Sequence, residues 1–200
     1  MSHYFETPES PLVTSEFTAS VFGRELTFTT APGVFSGSRL DLGTSVLLRE
    51  VDPPTAGRVL DLGCGVGTIA VGLALAAPDV SVDAVDVNLR AVELTNLNAA
   101  RHGIADRVRA LPPDDVPADA RYDEIWSNPP IRIGKEALHG LLATWLGRLT
   151  PGGAAYLVVG RNLGADSLQR WLTEAGFPTE RLASAKGFRV LRAEAPVRTS

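Results

Sequence analysis

The segment from Arg58 to Ala70 constrains the fold most, because an apolar run there ends in closely spaced glycines before a helix-forming segment begins. The run Val59–Leu62 is apolar apart from Asp61, which is typical of a strand buried on both faces of a parallel sheet. The glycines that follow are Gly63, Gly65 and Gly67. Because glycine accepts backbone angles that other residues avoid, the segment predicts a sharp strand-to-helix turn whose backbone N–H groups can approach a ligand.

The spacing of this loop is compatible with two cofactors. The run Gly65–Ala70 satisfies the dinucleotide pattern G-x-G-x-x-G/A, and Asp86 lies near the spacing expected of a ribose-binding acid, so a nicotinamide cofactor is one interpretation. Asp61 favours another. A carboxylate at the end of this strand would repel a pyrophosphate, whereas it would complement the ammonium group of a methionine-like ligand. We therefore expect S-adenosylmethionine (AdoMet).

A second motif, Ser-Asn-Pro-Pro-Ile at Ser127–Ile131, directly follows a predicted strand. Together with Val59–Gly67 and Asp86, it resembles the class I AdoMet-dependent methyltransferases. Within that class the chain is similar to the small methyltransferase domain, which forms the catalytic half of bacterial guanine-N2 ribosomal RNA methyltransferases and also occurs as a single-domain protein. The similarity extends to further segments at residues 3–5, 33–36, 40–44 and 186–191.

The length of 200 residues and the 44% hydrophobic content suit one α/β domain. The resemblance implies a Rossmann-like, mostly parallel seven-stranded sheet with an antiparallel terminal strand. Alternation over residues 14–30 predicts an N-terminal β-hairpin, so we expect a hairpin appendage at 1–35 and the methyltransferase domain at 36–200. Helices are expected at residues 42–51, 68–77, 89–102, 134–149 and 166–175, and the later strands at 80–85, 108–111, 122–127, 154–159, 181–184 and 188–191.

Composition limits where the protein acts and what it binds. The N-terminus lacks the pattern of a secretion signal and no apolar run is long enough for a membrane span, so we expect a cytosolic protein without membrane or metal partners. Cys64 is the single cysteine, which excludes an internal disulfide framework. The net charge of −4 argues against non-specific coating of nucleic acid, although basic residues concentrated in the C-terminal stretch could contact phosphates or simply be solvated.

Asn128 and Pro129 are the candidate catalytic residues. The two prolines fix φ and bias the preceding residues to extended conformations, so the Asn128 side chain and the Pro129 carbonyl can be held rigidly beyond the strand end. Two such oxygens can each accept one N–H of an exocyclic amine and draw its nitrogen toward tetrahedral geometry. The lone pair then points at the methyl group of AdoMet, and positioning is the main catalytic need.

The resemblance implies the remaining site residues. The expected AdoMet-binding residues are Phe35, Thr44, Asp61, Gly63, Cys64, Gly65, Gly67, Asp86, Asp114 and Asn128. Asp86 would accept from the ribose hydroxyls, Thr44 would donate to the cofactor carboxylate, and Asp114 would accept from the adenine amine, with Asp115 as the competing candidate. The expected substrate-binding residues are Pro130, Ile131, Arg132 and Lys135.

The methyl acceptor stays open at this level. A guanine in ribosomal RNA, presented by a ribosomal subunit, is the first expectation. Ile131 stands where many amine-methylating enzymes have Tyr or Phe to stack on the target base, and the guanidinium of Arg132 could stack instead. The alternative methyl acceptors are a protein glutamine amide and a small metabolite. The alternatives to a methyltransferase are a nicotinamide dehydrogenase and a non-catalytic, cofactor-binding RNA module.

Overall fold

The computed structural model describes residues 13–35 and 39–196. Five α-helices occur in these ranges: α1 (Leu42–Glu50), α2 (Thr68–Ala76), α3 (Leu89–Arg101), α4 (Lys135–Leu146) and α5 (Ala165–Glu174). The strands in the same ranges are β1 (Ser15–Val21), β2 (Arg24–Thr30), β3 (Ala56–Leu62), β4 (Asp79–Val85), β5 (Val108–Leu111), β6 (Tyr122–Ser127), β7 (Leu149–Gly160), β8 (Thr179–Ala185) and β9 (Phe188–Glu194). The predicted alternation of strands and helices is confirmed.

Seven strands form one sheet in the order β5-β4-β3-β6-β7-β9-β8. Strands β3 to β7 pair in parallel, whereas β9 is antiparallel to both β7 and β8. The predicted Rossmann-like sheet with an antiparallel terminal strand is therefore confirmed. Because β3 lies between β4 and β6, the sheet brings the glycine loop, Asp86 and the Asn-Pro-Pro run to one edge.

Helices cover both faces of the sheet, which explains the continuous apolar character of β3. Val59 and Val82 pack with buried residues of α1, α2 and α3 on one face. Leu60 and Ile125 pack with buried residues of α4 and α5 on the other. The outcome is a three-layer arrangement in which the central strands are buried on both sides.

The predicted N-terminal hairpin is present as β1 and β2, joined at Phe22 and Gly23. Both turn residues have positive φ, 46° and 75°, as a two-residue turn between twisted strands requires. Val21 and Phe28 of the hairpin belong to the same hydrophobic cluster as α1, α2 and α3. The hairpin therefore packs into the core of the larger unit, and the domain boundary at residues 35/36 stays a prediction.

Two local predictions are wrong. Helix α4 ends at Leu146 and not at Leu149, because the chain turns at Gly147 and Leu149 already pairs with Tyr122 as the first residue of β7. Strand β7 consequently includes Pro151–Gly153, where its register with β6 shifts. The helical spacing of Leu97 predicts that it faces the core with Leu94, but its side chain is 42% exposed.

Candidate active site

A cavity of about 870 Å³ opens at the carboxyl ends of β3, β4, β6 and β7. The part beside β3 and β4 is lined by Gly63, Asp86, Val87 and Pro113, together with Val34 and Phe35. The part beside β6 and β7 is lined by the Asn-Pro-Pro run and by Ile131, Arg132, Leu141, Trp145, Gly160, Leu163 and Phe188. Asn128 lies at the carboxyl end of β6, the strand next to β3, and so between these two parts.

The glycine loop has the conformation that its sequence predicts. Gly63, Gly65 and Gly67 have φ values of 79°, 58° and 81°, which only glycine adopts without strain. The N–H of Gly65 donates to Asp86 Oδ2 at 3.0 Å, so the carboxylate at the end of β4 braces the loop at the end of β3. A Cβ on Gly67 would lie 2.7 Å from the Thr95 methyl carbon, because α3 packs directly against the loop.

Asp61 is fully buried and does not line the cavity. Its Oδ2 accepts from the backbone N–H of Ala70 at 3.0 Å, which joins the end of β3 to the first turns of α2. Its Oδ1 has no hydrogen-bond partner among the described residues. Burial raises the pKa of the Asp61 carboxyl to about 7, and the neighbouring Asp86 adds to that effect. A cation bound near the loop, such as the ammonium of AdoMet, would stabilise the ionised carboxylate. The contact of Asp61 with the cofactor stays a prediction.

Asp86 lines the cavity at the end of β4, as expected of a residue that contacts the cofactor. Its Oδ1 accepts from the N–H of Asn88 at 2.9 Å, and burial raises its pKa. The side chain of Asn88 caps α3 by accepting from Arg90 N, so Asp86 is not the helix cap. Asp86 also accepts from the backbone N–H of Val87, and its contact with the ribose of the cofactor stays a prediction.

The structure places the other predicted AdoMet residues at different distances from the cavity. Phe35 lines it, but Thr44, Asp114 and Asp115 do not; the two aspartates are exposed on a 3₁₀ turn whose Pro113 reaches the wall. Cys64 is buried, and burial raises the pKa of its thiol well above the ordinary value, which leaves it a poor nucleophile. Contacts of Thr44, Cys64 and Asp114 with the cofactor stay predictions.

The amide of Asn128 is held by two acceptors from the start of α1. Its Nδ2 donates to Asp41 Oδ2 at 2.7 Å and to Thr44 Oγ1 at 3.1 Å. Since a carboxylate only accepts, the NH2 side of the amide must face Asp41. Oδ1 of Asn128 has no donor among the described residues, and Asn128 lines the cavity. The amide is therefore fixed with its oxygen available to a ligand.

The two prolines after Asn128 form a tight turn. Pro130 has φ −74° and ψ 76°, and the N–H of Ile131 donates to the Pro129 carbonyl at 2.8 Å, which is an inverse γ-turn. One lone pair of the Pro129 carbonyl is thus occupied and one is left for a substrate. Pro130, Ile131 and Arg132 line the cavity, and their contacts with a substrate stay predictions. Lys135 is exposed at the start of α4 and does not line it.

Two residues to which sequence reasoning gave no role in the site hold it together. Asp41 caps α1 by accepting from Thr44 N at 3.0 Å, a role that its position three residues before Thr44 could have indicated. Buried Asn98 of α3 donates to the carbonyls of Thr29 and Val66, both at 2.9 Å, and accepts from Thr29 N at 2.7 Å. Asn98 thereby ties the N-terminal hairpin to the glycine loop, and no local sequence signal announces such a bridge.

Comparison with known proteins identifies the family. The family model described as "Methyltransferase small domain" matches residues 25–192. The chain belongs to the methyltransferase small domain family. It is an AdoMet-dependent methyltransferase, and the nicotinamide interpretation of the loop is set aside.

Two relatives of this small-domain methyltransferase differ in how much of their own length the chain covers. The Bacillus subtilis uncharacterised protein YbxB is 33% identical over 199 residues, covering 96% of this chain and 98% of the relative. The ribosomal RNA small subunit methyltransferase C of Acinetobacter baumannii (strain AYE) is 37% identical over 154 residues, covering 74% of this chain and 45% of the relative.

One solved structure matches most of this small-domain methyltransferase. The T. thermophilus 16S rRNA N2 G1207 methyltransferase, solved with AdoMet and guanosine, has a TM-score of 0.81 at 28% identity, covering 94% of this chain and 52% of that one. The chain therefore spans about half the length of the rRNA methyltransferases it matches.

No helix in the described parts of this methyltransferase is long and apolar enough to cross a membrane. Within residues 13–35 and 39–196, no group of three or more His, Cys, Asp or Glu side chains is arranged to hold a metal ion.

Proposed function

We propose that this methyltransferase transfers a methyl group from AdoMet to the exocyclic amine of a guanine in small-subunit ribosomal RNA. The observation that carries the proposal is the fixed amide of Asn128, whose NH2 group is held by Asp41 and Thr44 while its oxygen is left for a ligand. Together with the Pro129 carbonyl, this oxygen can accept both N–H groups of an amine, whereas a hydroxyl has one hydrogen to donate and a carbon acceptor has no such polar hydrogen.

The residues at the end of β6 account for the chemistry. When bound, AdoMet supplies an electrophilic methyl group on a sulfonium. Asn128 Oδ1 and the free lone pair of the Pro129 carbonyl each accept one N–H of the amine, which withdraws its lone pair from the ring and makes the nitrogen a better nucleophile. The amine proton becomes acidic only once the nitrogen is alkylated, so no strong base is required beforehand. This agrees with a cavity wall that contains no histidine among the described residues.

Positive charge around the substrate side of the cavity supports an RNA acceptor. We call Arg39, Arg132, Lys135, Arg161 and Lys186 the basic rim; all five are exposed. Arg39 and Arg132 line the cavity. Arg161 follows the lining residue Gly160, and its N–H donates to the carbonyl of Gly187, beside Lys186, at 2.8 Å. Two acids lie close to this rim in the chain: Glu136 follows Lys135, and Asp41, which lines the cavity, lies two residues after Arg39.

The basic rim differs from the arginines of the C-terminal strands. Arg181 and Arg189 pair with Asp166, and Arg192 pairs with Glu180 and Glu194, so internal partners offset much of that positive charge. Within the described part of the chain, no carboxylate lies at ion-pair distance from Arg132, Lys135, Arg161 or Lys186. In a protein of net charge −4, such a local cluster favours a phosphodiester substrate.

The relatives support the same acceptor. The T. thermophilus enzyme named above is a 16S rRNA methyltransferase of N2 of G1207, and its structure contains guanosine. If the acceptor is a ribosomal subunit, the protein acts in the cytoplasm.

Transfer of tritium from methyl-labelled AdoMet tests the proposal. The acceptors are ribosomal subunits from cells in which this protein's gene is deleted, naked ribosomal RNA, and a protein and metabolite extract from the same cells. We expect label in small-subunit RNA, recovered after nuclease digestion as N2-methylguanosine. Label recovered in a protein glutamine or a small metabolite would contradict the RNA assignment, and label on oxygen or carbon would contradict the amine assignment. Asn128→Ala is the matched inactive control.

A further inference from the structure

We propose that Asp41 is a positioning residue that sets the orientation of the Asn128 amide, and that its capping contact with α1 holds the Asp41 side chain in place. This inference rests on the proposed function, since it assigns a purpose to the oxygen that Asn128 presents. Asp41, in the segment before α1, and Asn128, at the end of β6, are 87 positions apart in the sequence and are joined by a hydrogen bond.

One oxygen of Asp41 serves two donors. Asp41 Oδ2 accepts the N–H of Thr44 at 3.0 Å, as the cap of α1, and the Nδ2 of Asn128 at 2.7 Å. The first contact fixes the Asp41 side chain relative to the helix backbone. The second transfers that fixed position to the amide. Charge-assisted hydrogen bonds are shorter and stronger than neutral ones, so the 2.7 Å contact is the dominant restraint on the amide.

Thr44 completes the arrangement by giving the second amide proton an acceptor at 3.1 Å. Both N–H groups of Asn128 are therefore occupied on the protein side. In a flipped amide, Oδ1 would face the Asp41 carboxylate and the NH2 group would face the cavity, where it would meet another N–H donor. A flipped amide cannot accept the amine, so its population subtracts directly from the active enzyme.

The neighbouring elements hold α1 against the sheet. A Cβ on Gly43 would lie 2.9 Å from a ring carbon of Phe188, which shows how closely the start of α1 approaches the first residue of β9. Val46 and Leu47 of α1 are fully buried in the core. The position of Asp41 is thus set by packing, and the Asn128 amide is hydrogen-bonded to a residue held in a fixed place.

Three substitutions at Asp41 separate orientation from folding. Asp41→Asn keeps an oxygen that can accept from both Thr44 N and Asn128. Asp41→Ser keeps a helix cap but is too short to reach the amide as well. Asp41→Ala loses both contacts and reports the cost of losing the cap, so it should unfold at a lower temperature than Asp41→Ser. Asp41→Ser is therefore the informative variant, and its thermal unfolding should stay close to that of the wild type.

Two measurements test the proposal. The first is hydrogen exchange of the Asn128 side-chain amide by NMR, with the resonance assigned by its loss in Asn128→Asp. We expect protection in the wild type and Asp41→Asn, and faster exchange in Asp41→Ser. The second is steady-state kinetics with small-subunit particles. We expect kcat to fall ~10- to 100-fold in Asp41→Ser with the Kd for AdoMet unchanged, and to be restored to within about threefold in Asp41→Asn.

The outcomes separate this inference from the proposed function. Wild-type exchange or wild-type kcat in Asp41→Ser would overturn the positioning role, as would a kcat in Asp41→Asn as low as in Asp41→Ser, which would point to the carboxylate charge itself. A wild-type enzyme that methylates no tested acceptor would refute the proposed function. The exchange measurement, which needs no acceptor, would then still decide whether Asp41 orients the amide.

Discussion

Replacement of Asp61 by asparagine tests the electrostatics of the cofactor loop. The pKa of Asp61 is raised by burial from 3.8 to about 7, and each pKa unit is worth about 1.4 kcal/mol. The folded protein holds the proton of the Asp61 carboxyl more tightly than the unfolded chain does. The free energy of unfolding therefore falls as the pH rises from about 4 through 7. The full effect is on the order of 4 kcal/mol.

The Asp61→Asn side chain carries no charge and can keep the hydrogen bond to Ala70 N, so the variant should lack this dependence. We expect the unliganded variant to become more stable than the wild type, relative to their difference at pH 4, by on the order of 4 kcal/mol at pH 8. Asp86, whose pKa burial also raises, is present in both proteins, so its contribution largely cancels in the difference. Urea unfolding of both proteins between pH 4 and pH 8 measures it.

The affinity for AdoMet should depend on pH in the opposite direction to the stability. If the ammonium of AdoMet compensates the Asp61 charge, it favours the ionised form, so wild-type affinity for AdoMet should increase as the pH rises through 7. The Asp61→Asn variant should bind more weakly at pH 8 and show a flatter profile by calorimetry. A stability difference between the two proteins that does not change with pH would show that Asp61 is already ionised and paired, and the reasoning would be wrong.

Three further predictions follow from the site. Asn128→Ala should lower kcat by orders of magnitude with nearly unchanged AdoMet affinity, and equal loss of both in kinetics and calorimetry would contradict its role. Arg132→Glu combined with Lys135→Glu should raise the KM for the RNA. It should also reduce the slope of log binding constant against log salt concentration by about two, while guanosine methylation stays unaffected by salt. Gly67→Ala should destabilise the fold by ~1–3 kcal/mol, since it combines a φ of 81° with a 2.7 Å contact to Thr95. Gly140→Ala, in α4 where a Cβ meets nothing within 4 Å, is the matched control and should be neutral or stabilising in thermal unfolding.

Local patterns were sufficient wherever the structure depends on neighbouring residues. The glycine loop, the positive φ of Gly23 and the cap at Asn88 follow from backbone preferences that a few residues determine. The sequence failed at the end of α4, where apolar residues continue past Gly147 with helical spacing. Pairing of Leu149 with Tyr122 decides that boundary, and the pattern of one segment cannot contain the demands of another strand.

The sequence by itself determined the class of fold, the family and the run that carries the candidate chemistry, because strand burial, glycine turns and rigid prolines are written in contiguous residues. Only the tertiary structure decided how that chemistry is oriented. Asp41 reaches Asn128 across 87 positions and Asn98 joins Thr29 to Val66, and neither contact leaves a local trace. The tertiary structure also decided that Asp61 is buried, with no hydrogen-bond partner for Oδ1 among the described residues. Burial depends on which helices cover the sheet, and a single segment does not determine that.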